Sequence, residues 1–299
     1  MKYEAISTYS PEFSVRKMCK VLGLSTTGYH NWSKRKEARQ LQMMQEKTLA
    51  HKIKQIFDDN KKVYGYRKMY LTAIKAGIEI SQYKIRKIMR ENGLYSVAIE
   101  KFKAPRKRNP GDRFHSDLVE QQFNPKELNQ VWVGDITYIK TKLGWVYLST
   151  VMDLYNREII GYSISKQIDV ELVKQSLSDA LIRKAAGKKG IIFHSDRGTQ
   201  YASKGFRQML SDNGLVGSMS RSRCPYDNAC MESFFSTVKK EYIFRRSYDT
   251  IKDVKRDLFE YIELFYNRKR IHQSLGYMSP VEYRLSNNKQ KSCLLQGIG

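Results

Sequence analysis

Between Val131 and Ile164 lie three segments rich in β-branched and aromatic residues, Val131 to Ile139, Trp145 to Met152 and Glu158 to Ile164. Only short turns, around Lys142-Leu143-Gly144 and Asn156-Arg157, separate them. Strands this close in sequence have no room for a crossover, so they pair as an antiparallel meander. The pattern then lengthens to a helix over Val170 to Ala186, stopped by Gly187. A short apolar strand from Gly190 to His194 runs into Ser195-Asp196-Arg197-Gly198, followed by a helix from Ser203 to Asp212 and a strand from Leu215 to Met219. A last helix is capped near Asn228. Alternating strand and helix bring parallel strands together, so the sequence predicts an α/β fold with a mixed sheet flanked by helices.

Before residue 96 the periodicity is helical. Ser14 can cap a helix with Val15, Met18, Cys19 and Leu22 on one face, Gly23 permits a turn, and Ser25 can cap a second helix holding Tyr29 and Trp32 inward. This is a helix-turn-helix pattern, whose second helix enters a DNA major groove; Thr26, Thr27, His30 and Asn31 are its candidate DNA contacts. An amphipathic helix over about 38–59 follows. A second helix-turn-helix-like pair spans Tyr64-Gly65-Tyr66-Arg67-Lys68 to Gly93, with Ile85, Ile88 and Met89 as its core stripe. Lys84, Arg86, Lys87 and Arg90, charges of one sign, are candidate phosphate contacts. Residues 96–115 lose all periodicity and interleave Lys101, Lys103, Arg106, Lys107, Arg108 and Arg113 with proline and glycine. The expected organisation is a helix-turn-helix and linking helix over 1–60, a second such module over 61–95, a basic linker over 96–120, a catalytic core over 121–240 and a helical extension over 241–299.

Charge narrows the function. The chain carries 54 Lys and Arg against 30 Asp and Glu, a net +24 over 299 residues, and +16 of that falls within residues 1–115. Such an excess calls for an anionic partner. No stretch approaches the roughly 18 apolar residues of a membrane span, and the first residues have no apolar signal core. The four cysteines form no CxxC pair and the five histidines no zinc spacing. A cytoplasmic protein with free thiols that binds nucleic acid is expected.

Three acids carry the chemistry. Asp135 interrupts an apolar strand, where a carboxylate is costly unless paired or bound to metal. Asp196 ends the fourth strand, where ligands gather in open α/β sheets. Glu232 lies one turn into a helix anchored by Phe234 and Phe235. Hard Mg²⁺ ions want oxygen ligands, and two of them about 3.5–4 Å apart can serve a phosphodiester exchange. Asp153 is the competing acid, read as a turn residue or a partner of Arg157. His194 and His272 read first as structural histidines, with a supporting role near Asp196 or on phosphate as the alternative. Ser195 and Tyr201 lack the neighbours a nucleophile needs.

The order βββαβαβα matches the ribonuclease H-like architecture, and the acids are separated by 60 and 35 residues. That spacing resembles the D,D-35-E signature of retroviral integrases and bacterial transposases. WVGDITYI, HSDRGTQY, DNACMESFF, the YGYRKM pair and the tail FYNRKRIHQSLGYMSPVEY extend the resemblance to the OrfB-type transposases of two-reading-frame bacterial insertion sequences, over nearly the whole chain. The resemblance implies that Asp135, Asp196 and Glu232 are catalytic and bind two Mg²⁺ ions, with Mn²⁺ able to substitute. It implies that water attack frees a 3′-hydroxyl which then attacks a second phosphodiester, that Lys239 contacts the element's end, and that the helix-turn-helix reads the terminal inverted repeats. Implied partners are double-stranded DNA (element ends and target), further copies of the chain as a homo-oligomer on DNA, and an upstream-frame OrfA product, acting at the bacterial nucleoid. Unlike the viral integrases, the chain has no N-terminal His/His/Cys/Cys zinc module. Two rival readings are a regulator with an inert ribonuclease H-like domain, which binds without metal-dependent cleavage, and a structure-specific nuclease, which cuts branched DNA without joining.

Overall fold

A computed structural model describes residues 2–97, 117–119, 124–184, 189–221 and 228–287. The first helical unit begins earlier than its sequence signals suggest. A helix α1 (Lys2–Tyr9) precedes α2 (Val15–Leu22) and α3 (Thr26–Asp59), and α1 contributes Ile6 and Tyr3 to a small cluster with Cys19, Tyr29 and Trp32. Gly23 ends α2 at φ +67°, the left-handed conformation that a glycine adopts without strain. Ser25 caps α3 by accepting a hydrogen bond from the Gly28 N–H at 3.3 Å; Ser14 precedes α2 without a side-chain cap.

The expected recognition helix and the linking helix after it are one continuous helix. Residues 33–50 contain neither glycine nor proline and are dominated by Lys, Arg, Glu, Gln, Ala, Leu and Met, all good helix formers. Nothing in that run breaks the backbone ladder. The 34 residues of α3 therefore extend about 50 Å.

The second pair, α4 (Tyr66–Lys75) and α5 (Gln82–Glu91), starts its second helix on Ser81, whose hydroxyl accepts from the Lys84 N–H at 3.2 Å. Its buried positions Met69, Ile85, Ile88 and Met89, with Ile53 and Phe57 of α3, belong to one apolar cluster with the sheet and the C-terminal helices.

Five strands form one sheet in the order β3-β2-β1-β4-β5. β1 (Val131–Thr141), β2 (Gly144–Asp153) and β3 (Ile159–Ser165) make the antiparallel meander. β4 (Ile192–Ser195) and β5 (Val216–Met219) run parallel to β1. α6 (Val170–Lys184) crosses between β3 and β4; α7 (Thr199–Ala202) and α8 (Lys204–Asp212) cross between β4 and β5. On one face Trp132, Val151, Ile160 and Phe193 pack under Val173 and Leu177 of α6 and Phe206 and Leu210 of α8. On the other, Val133, Ile139, Leu148 and Met152 pack under Met231, Phe234 and Val238 of α9 (Ala229–Glu241). Gly161 on β3 explains how closely α6 approaches, since a Cβ there would stand 2.3 Å from the Ser176 carbonyl oxygen.

The helix expected from Ile251 to Tyr266 changes winding midway. α10 (Ile251–Phe259), started by a Thr250/Asp253 capping box, continues as a π-helical turn over Glu260–Tyr266. The wider turn turns Asn267 onto β3, where its side chain accepts from the Ile159 N–H at 3.0 Å and donates to the Ile159 carbonyl at 2.9 Å. The Tyr64 hydroxyl accepts from the Ile271 N–H at 2.9 Å and donates to the Lys269 carbonyl at 3.2 Å. Two segments 200 residues apart in sequence, YGYRKM and FYNRKRIHQSL, thus lie against each other. The Glu241 carboxylate, at the end of α9, takes a bidentate pair from Arg270 at 2.7 and 2.9 Å and a third bond from Tyr261 at 2.7 Å, with Glu241 and Tyr261 buried and Arg270 nearly so.

Candidate active site

The sheet register sets the first two acids side by side. Gly134 of β1 pairs with Ser195 of β4, so Asp135 and Asp196 follow on neighbouring parallel strands, where backbones run about 4.8 Å apart. β4 ends there, while β1 continues to Thr141 with β2 as its one partner among the described strands. Asp135 therefore stands where β1 leaves the shelter of β4 and is half-buried, whereas Asp196 reaches solvent. The Asp135 carboxylate accepts from the Ile136 N–H at 2.8 Å and that of Asp196 from the Gly198 N–H at 3.0 Å.

The third acid arrives on α9. The Asn228 side chain tethers the start of that helix to the Gly134 carbonyl at 3.5 Å, next to Asp135. Met231, Phe234, Phe235 and Val238 are buried against the sheet, leaving Glu232 exposed. Lys239, two turns on, shares the Glu232 side of the helix and places its ammonium 4.5 Å over the Tyr138 ring.

Electrostatics ties these groups together. The Asp135 carboxyl is held well above the usual carboxylate range, first by burial and then by the negative charge of Asp196, with Glu232 adding; the Ile136 N–H and Lys239 oppose the shift. Crowding by surrounding protein raises Asp196, against the pull of the Gly198 N–H. Lys239 is lowered by burial and partly restored by Asp135. Beneath the acids Tyr201 is fully buried among Phe193 and Phe206. Burial and the charges of Asp135 and Asp196 push its hydroxyl well above the ordinary range. Tyr201 is thus a wall of this site, which its sequence context did not suggest. Gly134 makes that wall fit, since a Cβ on it would lie 2.6 Å from the Phe193 ring and 3.4 Å from the Tyr201 hydroxyl.

Like charges gathered at one place beside the Lys239 ammonium are relieved further by a cation, and an all-carboxylate set suits a hard divalent ion. Among the described residues no three Asp, Glu, His or Cys side chains close on one point as a metal cage does. Two of the three carboxylates instead turn back onto backbone N–H groups. The donor chemistry fits a divalent cation; the cage is not drawn closed.

The other candidates fall as follows. Asp153 is buried and caps the β2–β3 turn, accepting from Asn129 and Tyr155 N–H groups at 2.8 and 2.9 Å; Arg157 reaches Cys230 and Asn124. His194 is fully buried between the Ser218 and Ser220 hydroxyls at 2.9 and 3.2 Å, a structural histidine. His272 is half-buried, its ring at the edge of Tyr266 and 3.4 Å from an Arg270 nitrogen, and the surrounding protein with that charge holds it well below its usual range. The Ser195 hydroxyl donates to the Asp196 carbonyl at 3.0 Å. In the N-terminal unit Thr27, His30 and Asn31 are exposed and Thr26 is half-buried. On α5, Arg86 and Arg90 are exposed, Lys87 stands 3.9 Å from Glu91, and Lys84 is paired with Glu46 of α3 at 2.5 Å. Cys19 is a buried free thiol and Cys230 a partly buried one. Cys224, Cys293 and the basic stretch from Lys101 to Arg113 lie outside the described residues. No helix among the described residues is long and apolar enough to cross a membrane.

Comparison with known proteins places these features. An integrase core domain family matches residues 125–225, a second integrase core domain family matches 232–287, and an HTH-like domain family matches 44–102. The transposase InsF for insertion sequence IS3A of Escherichia coli strain K12 is 34% identical over 287 residues, covering 96% of this chain and 99% of the relative. A 31 kDa protein of insertion element IS600 of Shigella sonnei is 35% identical over 267 residues, covering 89% and 97%. Among solved structures, the HTLV-2 integrase catalytic core domain in complex with magnesium is 14% identical, covers 52% of this chain and 95% of its own, and superposes with a TM-score of 0.40. The fold assignment rests on the strand order and register and on the matched families: this is a ribonuclease H-like core with helical modules before it.

Proposed function

Since the chain belongs to the transposases of the IS3-type insertion sequences, and is an enzyme of that class, we propose that it binds the ends of its own element and performs Mg²⁺-dependent DNA cleavage and strand transfer at Asp135, Asp196 and Glu232. The observation that carries this reading is the register that makes Asp135 and Asp196 neighbours at the point where β1 outruns β4, with Glu232 on the helix tethered beside them.

In this reading Asp135, Asp196 and Glu232 would hold two Mg²⁺ ions, or Mn²⁺ in their place. When bound, the ions supply positive charge to the attacking and leaving oxygens of a phosphodiester. The chain's own residues do the rest. Asp135 sits on a strand fixed by β2 on one side, so its position does not depend on a flexible loop. Lys239, on the Glu232 side of α9, takes a phosphate of the DNA near the acids. Tyr201, Phe193 and Phe206 exclude water from beneath the site.

The exposed Thr27, His30 and Asn31, with Thr26 beside them, and Arg86 and Arg90 serve as DNA contacts. Lys84 and Lys87 join them only by giving up Glu46 and Glu91. The domain division follows the same logic: DNA recognition over 1–60 and 61–95, a basic linker over 96–120, the catalytic core over 121–240 and a C-terminal helical extension over 241–299. α3 leaves Leu41, Met43 and Met44 exposed in mid-helix, a surface suited to a second copy or to an OrfA product when two DNA ends are brought together. The site of action is the nucleoid in the cytoplasm.

The deciding experiment incubates wild-type protein and Asp135→Asn with labelled fragments carrying the element's ends, with and without Mg²⁺. Wild type should cut and join only with metal, and the variant should bind ends yet do neither. Strand transfer by Asp135→Asn would sink the assignment. Binding without metal-dependent cutting in wild type would favour an inert regulator, and cutting without joining a nuclease.

A further inference from the structure

The sheet face that carries Trp132, Gly134 and Ile136 continues outward along β1 to Tyr138 and Lys140, whose register partners on β2 are Tyr147 and Trp145. The inner half of that face is buried with α6 and α8. The outer half projects into solvent, with Tyr138 43% and Trp145 50% exposed. Their rings meet edge to face at 5.1 Å and 88°. Large aromatic side chains left in water on an otherwise well-packed hairpin call for a partner with flat apolar faces.

Lys239 links this patch to the acids. It reaches Tyr138 from α9, which lies over the opposite face of the sheet. β1 pairs with β4 only from Val131 to Gly134, and among the described residues no other strand pairs with that edge beyond Asp135. The same ammonium interacts with the Asp135 carboxylate. From Asp135 to Tyr138 is three residues of strand, about 10 Å, or about three nucleotides of a stacked DNA strand.

We infer that Tyr138 and Trp145, flanked by Lys140 and Lys239, form a stacking platform for unpaired nucleotides at a DNA end whose reacting phosphate lies at the three acids. The inference rests on the proposed function and adds to it a place for the bases next to the cut. Aromatic rings bind bases of any sequence through their faces, and lysines take the intervening phosphates. In a paired duplex those base faces are already stacked on one another, so only a frayed or single-stranded end can use the platform. A single strand can also turn round the edge of β1, which no described strand covers past Asp135, in so short a distance.

The test uses the full chain in EDTA, so that no cutting occurs, and fluorescein-labelled duplexes of one mixed sequence. One duplex is blunt, and two others have the last few nucleotides of either strand unpaired. Wild type should bind one of the frayed duplexes more tightly than the blunt one. Trp145→Ala and Tyr138→Ala should each weaken frayed-end binding about tenfold and leave blunt-end binding nearly unchanged. Trp145→Phe and Tyr138→Phe keep a ring and should keep the preference. Equal loss on all probes, no loss in the alanine variants, or loss of the preference in the phenylalanine variants overturns the platform, as does a wild type indifferent to fraying. If that indifferent protein still cuts and joins with Mg²⁺, the proposed function stands without the platform. A frayed-end preference in a protein that never cuts would overturn the function and the platform's role at a reacting end together.

Discussion

Removing the Arg270 guanidinium should cost this fold more than removing any surface charge. Arg270 is nearly buried and gives two N–H donors to Glu241, itself buried, at 2.7 and 2.9 Å. Arg270→Ala leaves Glu241 with the Tyr261 hydroxyl alone, a carboxylate stranded in the interior. Breaking one partner of such a pair costs about 3–5 kcal/mol, compared with about 0–1 kcal/mol for an exposed pair. At about 2–4 °C per kcal/mol for a domain of this size the melting temperature should fall by roughly 10 °C.

The double variant Glu241→Gln/Arg270→Met removes both charges while retaining most of the volume. It should recover most of the loss, because the penalty of the single change is the orphaned charge rather than the missing bond. Thermal melts followed by circular dichroism on wild type, Glu241→Gln, Arg270→Met and the double variant give the coupling directly, with Arg270→Ala measured beside them. Because Glu241 closes α9, which carries Glu232 and Lys239, the single variant should also lose strand transfer, and the double variant should regain part of it. A loss below about 1 kcal/mol, or a double variant no better than Arg270→Ala, would refute the reasoning.

Gly134→Ala should destabilise the core by about 1–3 kcal/mol through overpacking against Phe193, read as a lower melting temperature, and should lower activity by shifting Asp135. Lys68 is driven down to about 8, first by burial and then by Arg270. Its charged form therefore weighs against the fold below that pH, and stability should rise between about pH 8 and the unfolded value near 10.4. Lys68→Met should raise stability at neutral pH by about 1–2 kcal/mol and lose that advantage above about pH 10, in denaturant titrations at the two pH values. DNA binding by the full chain should weaken steeply with salt, with a log–log slope of about −0.9 per phosphate contacted; a flat salt titration would contradict the role given to the basic N-terminal third.

The part of the fold governed by local rules was legible in the sequence. The meander follows from three β-rich segments with no room for a crossover, and the turn at Gly23 and caps at Ser25 and Ser81 from residues whose backbone or hydroxyl preferences act within three positions. Local rules were misleading where they are silent about continuity. Nothing between Trp32 and Leu49 ends a helix, so the helix expected to enter a groove and the linking helix are one body. The π-turn after Phe259 depends on a distant edge, where Asn267 finds the Ile159 peptide, and no periodicity announces it. The site shows the same division. Asp135 stands out as an acid interrupting an apolar strand and Asp196 as an acid at a strand end, whereas Tyr201 becomes a wall only because Gly134 lets it approach, a relation between residues 67 positions apart.

The packing also changes how the charge excess is understood. The sequence puts +16 in residues 1–115, as if recognition and chemistry were separate bodies joined by a linker. Yet α4 and α5 bury their apolar stripe in the same cluster as α9 and the C-terminal turn. Lys61 pairs with Glu260 and Lys75 with Glu282 across that junction. Part of the basic excess of the second pair is therefore consumed internally, and among the described residues the charge left to meet an anionic partner includes the exposed rim of α5 and the first helical unit at the far end of α3. A fragment ending at residue 115 would expose the apolar stripe of α4 and α5, so recognition by this pair should be measured on the full chain. Because the junction also holds Glu241 at the end of α9, any movement of the second pair on binding DNA acts on the helix that carries Glu232 and Lys239.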